Sequence, residues 1–210
     1  MKRIGALVLL LAAGAAAAEL SREQALRDLA GRDVGARREA AQTLGAMGIM
    51  TDAPRLVAAL RDPDPLVRAT AERSLWLIWG RSGDDEVDLM FQVGLEQMNA
   101  QEAVLAVDTF TRIIQRRPDF AEAWNKRATV YYFLGQYQKS LADCDEVMKR
   151  NPNHFGALSG YGMIYLQLGE PEKAVTYFER ALQANPNLDQ VESTLGMLRE
   201  LVQRRRRNSI

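Results

Sequence analysis

The chain has 210 residues, with 27 Lys+Arg, 27 Asp+Glu, one His and one Cys. A single Cys closes no internal disulfide, and with His154 alone it cannot make a Cys/His zinc site, so neither metal nor cofactor is expected. The composition, 47% hydrophobic and 26% charged, suits a folded core rather than a disordered chain.

Lys2 and Arg3 precede an uncharged run from Ile4 to Ala18 that ends in small residues. A basic start, an apolar centre and a small-residue end form the pattern of a secretory signal peptide over 1–18. Cleavage is expected between Ala18 and Glu19. The run is 15 residues long, short of the roughly 20 that a spanning helix needs. The alternatives are a retained anchor or a buried first helix. Export across an inner membrane, into a periplasm, is the expectation. Loss of Lys2 and Arg3 takes the basic count from 27 to 25 against 27 acids, a balance that argues against nucleic-acid binding.

Residues 19–80 show a period of 31. Leu29, Ala36, Arg37, Ala40 and Leu44 align with Leu60, Val67, Arg68, Ala71 and Leu75. The stretch from Leu60 to Leu75, with Asp62, Pro63, Pro65 and the Val67-Arg68 pair, resembles a HEAT repeat, which implies two helix pairs here. Either Pro63 or Pro65 can open the second helix of the later pair, because the first N–H groups of a helix lack internal partners. Residues 81–86, polar and containing Gly83, read as a junction. Trp76 and Trp79 either pack within their own helix pair or dock on the first unit beyond the junction, joining both arrays into one superhelix.

A second period, of 34 residues, follows over 87–188. Pro118, Pro152 and Pro186 share it, as do Gly94, Ala128 and Gly162, then Ala106, Ser140 and Ala174, then Phe110, Cys144 and Phe178. Gly135 and Gly169 repeat too, with Gln101 at the matching place in the first unit. Small residues at these registers let paired helices approach, and each Pro stops a second helix. The pattern resembles the tetratricopeptide repeat (TPR), with units at 87–120, 121–154 and 155–188. A further helix over 189–206, carrying Val191, Leu195 and Leu198 at helical spacing, would cap the last unit, leaving 207–210 frayed. The fold class expected is therefore all-α, a right-handed superhelical α-solenoid of stacked helix pairs.

No Gly-rich phosphate loop, nucleophile elbow or metalloprotease motif occurs, so no catalytic residue is assigned and the chain is not expected to be an enzyme. Cys144 lies in an apolar periodic stretch and reads as a buried thiol, His154 as a helix-start or turn residue, and Asp143 and Asp145 as a solvated face. The resemblance to TPR proteins implies that the first helix of each unit lines a concave surface. By position this places there Phe91, Leu95 and Met98 from the first unit, Asn125, Thr129, Tyr132 and Phe133 from the second, and Ser159, Met163, Leu166 and Gln167 from the third. The Lys/Arg/Asn clamp by which some TPR proteins hold a C-terminal carboxylate is not matched: its places hold Phe91, Leu95, Asn125-Lys126, Gly156 and Gly160. The implied activity is non-enzymatic, an adaptor or scaffold of the cell envelope that takes another protein or an extended apolar peptide. Two alternatives stay open: an assembly factor that touches anionic membrane through the Arg204–Arg207 run, and an enzyme accessory that binds a small molecule.

Overall fold

The computed structural model describes residues 20–208, and the signal-peptide reading lies outside them. The described residues form eleven α-helices and one short 3₁₀ turn, with no strand among them. The architecture is all-helical, a solenoid of stacked helix pairs. No helix among the described residues is long and apolar enough to cross a membrane.

The N-terminal block comprises α1 (Arg22–Asp28), α2 (Val34–Met47), α3 (Ala53–Ala59) and α4 (Pro65–Trp79). Its helix starts follow from local chemistry. Asp33 caps α2 by accepting from the Ala36 N–H at 2.7 Å, and Asp64 caps α4 by accepting from Leu66 and Val67. Of the two candidate prolines, Pro65 takes the first helical position. Leu44, Leu56, Leu60, Val67 and Leu75 are fully buried between the pairs. The two arginines of the 31-residue register make different contacts. Arg37 grips Asp62 with two bonds of 2.7 and 2.9 Å. Arg68, one period later, instead reaches Asn187, at 2.9 Å, in the turn after the last unit of the second array.

That second array comprises α5 (Asp85–Asn99), α6 (Ala103–Arg116), α7 (Ala121–Phe133), α8 (Tyr137–Arg150), α9 (Phe155–Gln167) and α10 (Pro171–Ala184), followed by α11 (Asp189–Asn208). The turn inside each pair is the same. Gln101, Gly135 and Gly169 have φ of 60°, 70° and 73°, and the next residue's N–H reaches back to Gln97, Tyr131 and Tyr165. This is the left-handed helix stop that favours glycine, so Gln101 carries the strain of a side chain there. The packing between paired helices is matched in size. A Cβ at Gly94 would lie 2.7 Å from the Phe110 ring, and one at Gly162 would be closer still to Phe178. Ala128 can carry its Cβ because its partner is the smaller Cys144, buried in the same cluster. The Cys144 thiol is pushed up to about 12 by burial and the neighbouring Asp143 and Asp145, so it stays protonated.

The two arrays do not form one continuous superhelix. Trp76 and Trp79 pack against the start of the third unit, not the first. Trp79 stacks on His154 at 4.5 Å, and both indoles meet Phe155, at 5.2 and 4.9 Å. Three polar links extend this contact. Asn187 donates to the Leu60 carbonyl at 2.8 Å and accepts from Arg68, while Arg61 donates to the Gln183 carbonyl. The N-terminal block therefore folds back along the edge that carries the turns between units. In consequence Leu89 and Val93, on the outer side of α5, remain exposed.

Candidate functional site

The first helices of the units, α5, α7 and α9, run side by side, and α11 follows in the same register. Leu95, Thr129, Met163 and Met197 are spaced by 34 residues, as are Asn99, Phe133, Gln167 and Leu201. A contact across units ties the row together. Gln167 of the third unit donates to the Tyr132 hydroxyl of the second at 3.3 Å.

This row divides into a closed end and an open end. At the N-terminal ends of α7 and α9 the N-terminal block covers the surface. Trp76 lies 5.5 Å from the Lys126 ammonium, and a Cβ at Gly156 would fall 2.6 Å from its ring. Beneath it His154 is wholly buried. Its Nδ1 accepts from the Ala157 N–H at 3.0 Å and caps α9, which leaves Nε2–H to donate to Glu122 at 2.7 Å. Burial pushes the Glu122 carboxyl up, but the hydrogen bond from His154 and the Lys126 ammonium at 2.9 Å outweigh it and hold it at about 2.

Two expected lining residues are buried. Asn125 is buried, and its amide donates to both Glu122 oxygens at 3.1 and 3.2 Å, so it offers nothing to a peptide. Phe91 is buried between Phe110 and Phe120, at 5.8 and 5.1 Å, because its helix turns it toward α6. Leu95 and Met98 are half-buried against the same cluster. Thr129 and Ser159 donate back to carbonyls of their own helices, Asn125 and Phe155. Asp143 is also not solvated, since Arg127 holds it by two bonds of 2.8 Å.

The open end is apolar. Phe133 is 78% exposed and Met163 40%. Tyr132 and Leu166 are half-buried beside them, and Gln167 is exposed. Met98 and Phe133 line one cleft of about 510 Å³ with Val130 and Leu134. The row continues onto α11, where Met197 is 66% exposed and Leu201 42%. Sequence reasoning treated α11 as a cap and missed these two, although extending the 34-residue spacing from Met163 and Gln167 lands on them. It also missed the Glu122–His154 pair, whose members stand 32 residues apart.

Residues 119–187 match the family model of the tetratricopeptide repeat. Over 88 residues the chain is 31% identical to a TPR repeat-containing protein of Rhizobium etli, a stretch covering 42% of this chain and 43% of that protein. The chain thus spans less than half the length of the curated relative it matches. Among solved structures it is similar to the Sgt2 TPR domain of Aspergillus fumigatus, with a TM-score of 0.56 and 21% identity over 60% of this chain and 85% of that one. It is similar to the first TPR of Spaghetti (RPAP3) bound to an HSP90 peptide, with a TM-score of 0.54 and 20% identity over 56% and 94%. The MamA protein gives 0.52 and 15% identity over 79% and 82%. Residues 119–187, which match the tetratricopeptide-repeat model, carry the 34-residue register and the left-handed turns, and the fold of the chain is similar to that of TPR domains.

Proposed function

We propose that this chain is an exported, non-enzymatic adaptor that takes an apolar peptide or helix of another protein along the open end of the row. The observation that carries the reading is the set of large apolar side chains left in water at two adjacent registers, with Phe133 on α7, Met163 on α9 and Met197 and Leu201 on α11. Stacked repeats offer such extended surfaces to partners, and Met side chains fit irregular ones. The RPAP3 domain of similar fold is held with an HSP90 peptide, and TPR2B of yeast Sti1 forms a pHsp70 complex. An acidic chaperone tail is the poorer ligand here. The one lysine at a clamp place, Lys126, is engaged with Glu122 and lies over Trp76.

Export rests on the pattern over 1–18, and a mature chain beginning at Glu19 in the periplasmic fraction would support it. The exposed Arg204 and Arg207 at the end of α11 add a weak pull toward anionic membrane, roughly 1 kcal/mol each near the surface. The binding test is a crosslinked pull-down from intact cells with full-length protein. A stoichiometric partner should be captured by the native chain and lost with Phe133→Ala plus Met163→Ala, while far-UV circular dichroism stays unchanged. Undiminished capture by that double variant refutes the groove.

A further inference from the structure

A crevice of about 540 Å³ lies between the N-terminal block and the second array, away from the open row. Its walls are apolar. Ile49 and Met50, both exposed, line it with the buried Ile78 and Phe120. Around them stand Arg81, Arg117 and Arg150 with one carboxylate, Asp119. Arg150 is paired with Glu146 at 2.6 Å and lies over the Trp124 ring. Asp119 is already held by Arg117, through two bonds of 3.1 Å. Arg81 donates to the carbonyls of Ala46 and Gly48 and forms no ion pair with a carboxylate among the described residues. A smaller recess of about 170 Å³ adjoins it and shares Met50, Trp79 and Arg150.

Two residues that line this recess carry buried donors with nothing to donate to. Trp79 is 3% exposed and Asn151 7%, and neither the indole Nε1–H nor the Asn151 Nδ2 has a partner among the described residues. Buried donors are almost always satisfied, so two of them lining one recess beside a cationic rim call for an acceptor. The first turn of α7 adds to the pull. Phe120 and Ala121 line the crevice, and Phe120 has no side-chain oxygen to cap that helix.

From these features we infer that the crevice binds a small amphiphilic carboxylate, its chain against Ile49, Met50, Ile78 and Phe120 and its head toward Arg81, Arg150 and the two unpartnered donors. The same chemistry has two sources, a free aliphatic acid and the C-terminal residue of an apolar peptide. The site is separate from the open row, so each can fail without the other.

The test is isothermal titration of the full chain with octanoate, octanol, N-acetyl-leucyl-leucine and the amide of that dipeptide. One carboxylate should bind saturably, and its neutral counterpart at least about tenfold more weakly. The tighter of the two acids identifies the source. Arg81→Gln with Arg150→Gln should weaken binding about tenfold. Ile49→Glu, at a wall position that is 53% exposed, should do so by repulsion even where the arginine variant fails to fold. Arg112→Gln, on the outer side of α6, and the Phe133/Met163 variant should leave the affinity unchanged. The inference is overturned if neither acid saturates, if octanol and the dipeptide amide bind as well as the acids, or if Ile49→Glu leaves the affinity intact.

Discussion

Gly156→Ala and Gly160→Ala place the same methyl on the same helix four residues apart, and the structure separates their effects. At Gly160 the new Cβ would meet only the Cys144 Sγ, at 3.8 Å, an ordinary contact. Replacing an interior helical glycine there should stabilise by up to about 1 kcal/mol. At Gly156 the Cβ would lie 2.6 Å from the Trp76 ring and 3.2 Å from His154 Cε1. Trp76 has little room to withdraw, since Trp79 and Phe155 stand against it with ring centroids at 5.2 Å. Overpacking of this kind costs about 1–3 kcal/mol. Part of the helical gain is common to both variants, so Gly156→Ala should be less stable than Gly160→Ala by about 2 kcal/mol. Urea unfolding followed by circular dichroism measures the difference. Tryptophan emission should shift in Gly156→Ala only, as the indoles move. Equal stability of the two variants, within about 0.5 kcal/mol, would mean that Trp76 does not press on the third unit.

Gln101→Gly should stabilise the chain by about 1 kcal/mol in the same assay, because φ is 60° there while the equivalent turns use Gly135 and Gly169. Cys144→Phe should cost about 1–3 kcal/mol by forcing a ring against Ala128, and Ala128→Gly in the same chain should recover most of it, as the Gly94–Phe110 pairing implies. Glu122→Gln should cost about 3 kcal/mol at neutral pH by unpairing His154 and Lys126. The folded Glu122 carboxyl sits at about 2, below its ordinary 4.5, so its contribution is complete above pH 4.5 and fades as the pH falls toward 2. Stability measured over that window should drop more steeply for the native chain than for Glu122→Gln.

The repeats were legible because their spacing is a local property. The glycines at 94 and 162, the prolines and the turn residues each answer to a partner within one unit, so a 34-residue ruler finds them all. The ruler also reaches Met197 and Leu201, but only if α11 is taken as a first helix and not merely a cap. What could not be read were contacts between residues in different arrays. Nothing near Trp76 in the sequence says that its ring meets Phe155, 79 positions away. Phe91 and Asn125 sit at lining positions by register, and the burial of Asn125 comes from a carboxylate, an imidazole and the indoles that cover them. Asp143 was misread for a related reason, as a charge on a helix face is solvated only while no arginine closes over it.

Stacked-repeat proteins usually grow or shrink by whole units without complaint, since each unit touches only its neighbours. This chain has given up that freedom. The clasp from Leu60 and Arg68 to Asn187, together with the seat of Trp79 on His154, works as a caliper closed on the array at two marks 33 residues apart. Inserting a unit between His154 and Asn187 would carry one mark out of reach of the other. Descendants of this chain can therefore vary the faces of their helices, but not their number in that span.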